Sequence, residues 1–143
     1  MVNYLLDTNV ISEIRKVKAG KANKQVTQWV KGIDFSLCYL SVITIHELEV
    51  GVFQAELKDK QKGKILRGWL NAQVLPAFEK RIIEISLPII RQSAALNSPK
   101  LRPFRDCLIA STGLVYGMSV VTRNSLDFES TGVALINPWD EIV

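Results

Sequence analysis

The sequence predicts an α/β fold, three layers deep, around a central, mostly parallel sheet of four or five strands. Three observations lead to it. Short apolar runs alternate with longer segments of helical periodicity. The runs are continuous rather than alternating, as in strands covered on both faces. Several runs give way at once to an acid or a capping residue that opens a helix. The chain of 143 residues, 48% of them hydrophobic and 22% charged, reads as one domain over residues 1–143. A chain of this size buries roughly two-thirds of the surface it exposes when unfolded.

Tyr4, Leu5 and Leu6 read as a central strand ending on Asp7, with Thr8 and Asn9 as N-cap types for a helix marked by Val10, Ile11, Ile14 and Val17. Residues 16–22, lysine-rich with Gly20, form a loop. A helix over residues 23–31 carries Val26, Trp29 and Val30 on one face and closes at Gly32. Residues 35–40 make the second strand. From Ser41 the spacing of Ile45, Leu48, Val52 and Ala55 is helical, while Val50, Phe53 and Leu57 occupy the opposite side. A helix apolar on both sides is either sandwiched in its own domain or set against a partner.

Residues 58–64, dense in lysine with Gly63, read as a solvated turn before a helix over 65–74 that stops ahead of Pro76. Residues 81–85 are a third strand. Ser86 caps a helix containing Leu87, Ile89, Ile90 and Ala94, with Pro88 in its first turn. An exposed loop over 97–103 precedes a helix from Phe104 to Tyr116, stopped by Gly117. Strands at 118–122 and 134–136 follow, and Asn137-Pro138-Trp139 turns the tail.

Composition narrows the function. A single histidine, His46, excludes mechanisms that need two in one subunit. Cys38 and Cys107 have neither metal-knuckle spacing nor the number for a disulfide framework, so reduced thiols are expected. No run approaches the roughly 20 apolar residues that cross a bilayer, and no signal-peptide pattern opens the chain, so a soluble cytoplasmic protein without membrane contact is expected. The net charge of +4 suits a polyanionic partner without requiring one.

Four acids stand beside strand ends or helix starts: Asp7, Glu47, Asp106 and Asp127. Parallel strands place their carboxyl ends on one edge of the sheet, where Asp7, Glu47 and Asp127 can converge and Asp106 can join them. Mutual repulsion then calls for a counter-cation. Oxygen ligands suit Mg²⁺ or Mn²⁺, with Thr8, Asn9, Thr122 and Asn124 as neutral supporting oxygens and Thr44, three residues before Glu47, to orient its carboxylate. Such a site suits hydrolysis of a phosphodiester by a metal-activated water. Scattered acids favoured by helix dipoles, and for Asp127 a turn-capping role, are the alternatives.

Glu49 points to another helix face and reads as solvated. Glu13 fits water as well as the crevice, and His46, beside Glu47 in sequence, points away from it to the surface or the core. Arg15, Lys16, Lys100, Arg102, Arg105 and Arg123 flank the acidic blocks and are candidate contacts to the phosphates of a polyanionic partner. The aromatics Trp29, Trp69, Phe104 and Trp139 fall at core spacings, which gives no support to a base-stacking platform.

Three blocks carry a resemblance: Tyr4-Leu-Leu-Asp7-Thr-Asn-Val-Ile-Ser-Glu13, Ser41-Val-Ile-Thr44-Ile-His-Glu47-Leu-Glu-Val-Gly51, and Arg105-Asp106-Cys-Leu-Ile-Ala110 through Val121-Thr122-Arg-Asn124-Ser-Leu-Asp127-Phe128. The chain resembles PIN-domain ribonucleases, and within them the VapC toxins of type II toxin–antitoxin pairs, in the FitB-like branch. The resemblance implies a PIN-like α/β/α domain whose Asp7, Glu47, Asp106 and Asp127 hold Mg²⁺ or Mn²⁺ for endonuclease cutting of RNA, with Thr122 and Asn124 supporting. It also implies a homodimer and a cognate VapB/FitA-like antitoxin, with operator DNA bound only through that antitoxin. Transfer RNA is a target by resemblance alone. Ser111, Thr112 and Gly113 depart from the usual alanine-rich helix of the family.

Rival classes are a magnesium-dependent phosphatase or phosphotransfer domain and a non-catalytic nucleic-acid-binding protein. The first wants a second acid two positions after Asp7, where Asn9 stands, or an acid pair at the strand end, where Leu6 precedes Asp7. The full set of acids argues against the second.

Overall fold

The structure, a computed structural model, describes residues 2–140. Its elements are β1 (Asn3–Leu6), α1 (Thr8–Ile14), α2 (Lys24–Gly32), β2 (Cys38–Ser41), α3 (Val42–Lys58), α4 (Lys60–Trp69), α5 (Leu75–Ala77), β3 (Ile82–Ile83), α6 (Leu87–Leu96), α7 (Phe104–Tyr116), β4 (Met118–Val121), α8 (Ser125–Phe128) and β5 (Leu135–Ile136). The five strands run in the order β3-β2-β1-β4-β5, and every neighbouring pair is parallel. The chain thus starts in the middle, builds outward through β2 and β3, then returns to the far side of β1. Such a reversal opens a crevice at the carboxyl ends of β1 and β4.

Alternation along the strands divides the interior in two. Leu6, Leu40 and Val121 point to one side, where they pack with Val10, Leu48, Val52 and Leu70 from α1, α3 and the helix after α4. Leu5 and Val120 point to the other, against Ile89 of α6 and Leu108 and Ile109 of α7. The inner strands β1, β2 and β4 are therefore covered on both faces, the physical reason their residues read as unbroken apolar runs. The result is the expected α/β/α layering.

Several boundaries differ from the sequence-based expectations. Residues 58–64 are not a solvated turn: Asp59, with extended φ of −155°, caps α4 by accepting from the amides of Gln61 and Lys62, and helix resumes at Lys60. Gly63 is buried where α4 crosses α3, and a Cβ there would lie 2.5 Å from Glu56 Cα. Pro76 does not stop the helix. A π-helical stretch, Leu70–Val74, leads into α5, where Pro76 sits at a position whose missing N–H costs little. The second strand begins only at Cys38, because Phe35–Leu37 form a 3₁₀ turn capped by Asp34. Helix α1 ends at Ile14 rather than reaching Val17, and Ser86 stands at the N-cap of α6 without a side-chain capping bond among the described residues. Helix α7 matches its expected limits, closed by Gly117 at φ 66°. Gly113 lets α7 settle onto the sheet: a Cβ there would lie 2.7 Å from Val133 Cγ2.

Candidate active site

Asp7 closes β1 and opens α1. Its backbone N–H donates to Val121 O at 2.9 Å, one step past the β1–β4 ladder. Its side chain is wholly buried. Oδ1 accepts from the Thr8 amide at 2.8 Å and Oδ2 from the Thr122 hydroxyl at 2.8 Å. Asp7 is thus itself the N-cap of α1, correcting the expectation that Thr8 or Asn9 caps it. Asn9 instead accepts from the Arg123 amide at 3.2 Å, and Thr122 Oγ1 also accepts from the Asn124 amide at 3.0 Å. The loops after β1 and β4 are tied together around the Asp7 carboxylate.

Glu47 enters from α3, and the Thr8 hydroxyl donates to its Oε1 at 2.6 Å. Thr44 does not orient Glu47. Its buried hydroxyl has no partner among the described residues, and Thr8 does that work. Asp106 lies in the first turn of α7, where the exposed amides and helix dipole favour a carboxylate. The guanidinium of Arg105 gathers the three acids. Its Nε donates to both Glu47 oxygens at 3.1 Å, Nη2 to Glu47 Oε1 at 2.8 Å and to Asp7 Oδ1, and Nη1 to Asp106 Oδ1 at 3.1 Å.

The electrostatics follow from that geometry. Burial works against ionisation of Glu47, but hydrogen bonds from Arg105 and Thr8 outweigh it and hold its carboxyl below the ordinary range. Burial likewise opposes the charge on Arg105, and its bonds to Glu47 and Asp7 overcome this and raise it above the usual arginine value.

Asp127 is not among the partners of Arg105. It is exposed on α8 and lines, with Asp106, Lys100, Arg102 and Ser130, a neighbouring cavity of about 430 Å³. Asp7, Glu47 and Asp106 converge on one guanidinium, then, and Asp127 lies to the side, at the cavity that Asp106 also lines.

The donor set suits a divalent metal: carboxylates from three different elements, with hydroxyls of Thr8 and Thr122 bonded behind them, are the hard oxygens that Mg²⁺ and Mn²⁺ prefer. Among the described residues no three acids are drawn closely enough together to cage an ion as they stand. A planar guanidinium set between them is wider than a bare ion.

The other flanking residues are dispersed. Arg15 lies over the Trp69 ring at 5.7 Å and Arg123 over Trp139 at 5.3 Å, while Lys16 pairs with Glu13 at 3.4 Å. Arg102 is tied to Leu96 O at 2.8 Å and to Ser130, and Lys100 is exposed at the cavity. Glu13 accepts from the Asn23 amide at 2.7 Å, linking α1 to the start of α2. Glu49, expected to be solvated, accepts from Arg67 at 2.7 Å, and His46 is exposed. Trp29, Trp69 and Trp139 pack on the core as expected, whereas Phe104 is 67% exposed, contrary to its core assignment. What sequence reasoning missed is the place of Arg105 inside the acid cluster. Its signal was adjacency: a long cation one residue before the acid that starts a helix.

The PIN domain family model matches residues 4–133. The chain belongs to the PIN domain family. Among curated relatives, the chain is 35% identical over 141 residues to the VapC ribonuclease Y4jK of Sinorhizobium fredii, covering 95% of this chain and 97% of that one. It is 34% identical to Toxin FitB of Neisseria gonorrhoeae, covering 96% and 99%. Among solved structures, FitAB bound to the IR36 DNA fragment superposes with a TM-score of 0.87 at 32% identity, covering 98% of each chain. No helix among the described residues is long and apolar enough to cross a membrane.

Proposed function

We propose that this PIN domain is the toxin of a type II toxin–antitoxin pair. It is a ribonuclease that cuts RNA phosphodiester bonds with a water activated by Mg²⁺ or Mn²⁺, and a cognate VapB/FitA-like antitoxin silences it. The observation that carries the reading is the meeting of Asp7, Glu47 and Asp106, from three separate elements, at the carboxyl edge of the sheet. Relatives named as a VapC ribonuclease and as Toxin FitB, similar over nearly their whole length, support it.

Asp7, Glu47 and Asp106 would hold the metal, with Asp127 at the neighbouring cavity. A divalent ion bound there supplies a Lewis acid that lowers the pKa of water and balances charge on the leaving oxygen. The chain's own groups do the rest. Thr8 and Thr122 fix the carboxylate orientations of Glu47 and Asp7. Lys100, exposed at the cavity, and the exposed Arg15, Lys16 and Arg123 supply positive charge for the RNA backbone, a contact that positions without reading sequence. The chain works as a homodimer, and operator DNA is reached through the antitoxin.

Asp7→Asn tests the reading, because the amide retains an acceptor for Thr122 or Thr8 while removing the charge. RNA cleavage by the purified protein in Mg²⁺ is expected to fall at least about 100-fold, in line with losing a metal-held water. Cleavage unchanged by the substitution, or indifferent to chelation of divalent ions, overturns it. Growth arrest on expressing the chain alone, relieved by an adjacent short reading frame, tests the toxin assignment separately.

A further inference from the structure

Arg105 occupies the middle of the acid cluster, and the proposed chemistry has no need of it there. Its fork reaches Asp7, Glu47 and Asp106 together, with Nε and Nη1 at 3.1 Å from Glu47 and Asp106. One delocalised positive charge thereby satisfies the same three carboxylates that a divalent ion would use. The guanidinium donates to Oδ1 of Asp7, to both oxygens of Glu47 and to Oδ1 of Asp106, so it fills the space between the three acids that an ion bound by all of them would occupy.

Two further features make the guanidinium exchangeable rather than structural. Its side chain is 32% exposed at the open end of the site, so it has a route out to water. Asp7, wholly buried, keeps the Thr8 amide and the Thr122 hydroxyl as partners when the guanidinium leaves. Glu47 likewise keeps the Thr8 hydroxyl.

We propose that Arg105 is a displaceable internal counter-cation. It offsets part of the charge of Asp7, Glu47 and Asp106 in the metal-free chain and competes with the divalent ion for them, so it sets the metal concentration at which the site loads. The inference rests on the metal-dependent reading above and deepens it. Arg105 is in this role a positioning residue, and the direction of its effect separates competition from mere support. A prop that holds the acids in place, when removed, weakens metal binding. A competitor, when removed, strengthens it.

The test is Mn²⁺ binding to the full chain without RNA, read by titration calorimetry and by loss of the free Mn²⁺ paramagnetic resonance signal. Arg105→Gln is expected to bind Mn²⁺ at least about tenfold more tightly than the parent chain. Its melting temperature without metal should fall, and the rise produced by about 1 mM Mn²⁺ should exceed that of the parent, as ligand linkage requires. Arg105→Lys keeps a point charge but loses the fork, and is expected to fall between the two. If Arg105→Gln fails to fold without metal, the lysine variant decides. Affinity equal to or weaker than the parent in the deciding variant overturns the proposal. Asp7→Asn, run alongside, keeps the two ideas apart. If it leaves Mn²⁺ affinity intact, the metal reading itself fails; if it abolishes binding while the Arg105 variants bind no more tightly than the parent, only the competition fails.

Discussion

Asp7 is bound by three kinds of partner at once: a backbone amide, a hydroxyl and a guanidinium. Thr122→Val removes the hydroxyl without changing the shape of the side chain and leaves a buried carboxylate oxygen short of a donor. The loss should cost about 1–3 kcal/mol, measured as a drop in the urea midpoint with unchanged slope. An unaltered midpoint would show that Thr122 contributes nothing to holding that acid. Glu47 gives a pH dependence. Its carboxyl titrates below the ordinary 4.5 in the fold, so the unfolded chain binds the proton first as pH falls. Its contribution is complete above the ordinary value and declines from about pH 4.5 downward, until the folded value is passed. Urea denaturation at stepped pH should show this decline, and Arg105→Gln should flatten it. Asp7, Glu47 and Asp106 were legible in the sequence because topology alone brings strand ends and helix starts to one edge. The guanidinium between them was not, since a side chain's rotamer has no periodicity to read.

The helical hairpin of α3 and α4 shows where local patterns mislead. A lysine-dense stretch with a glycine has the composition of a loop, yet Gly63 is there because the helices cross too closely for a Cβ, and Asp59 alone makes the break. Helix α7, by contrast, was read to its ends, because Gly117, free of a Cβ, takes the left-handed conformation that stops a helix by local geometry alone. Pro76 failed as a stop signal since the π-helical stretch before it had already shifted the hydrogen-bond register. Two glycines in the hairpin make a paired test. Gly51→Ala meets nothing within 4 Å and should stabilise by about 0.5–1 kcal/mol through helix propensity. Gly63→Ala should destabilise by about 1–3 kcal/mol despite the same propensity gain, because the new methyl meets backbone. Equal effects at the two sites would refute the close crossing.

Across the molecule, the apolar side chains that the sequence left open between core and partner divide cleanly. Leu48 and Val52 face the sheet, while Val50, Phe53 and Leu57 on α3 remain exposed, Leu57 at 89%; Ile65 on α4, which helical spacing with Leu66, Trp69 and Leu70 would turn inward, is exposed as well. Arg67 lies 4.8 Å over the Phe53 ring and pairs with Glu49 and Glu56, bracketing this face with charge. If the proposed homodimer uses it, Phe53→Glu with Leu57→Glu should give a monomer by light scattering while the melting temperature stays within a few degrees, as exposed substitutions do. A persisting dimer would move the interface elsewhere. The strand order has a separate consequence for how the protein comes into being. The first strand made is the middle one, and it stays unpaired on one side until residues 118–121 have been synthesised. Asp7 and Asp106 are therefore united only once β4 has paired with β1, and a nascent chain cut short before its fourth strand carries all three acids of the cluster with no scaffold to unite them.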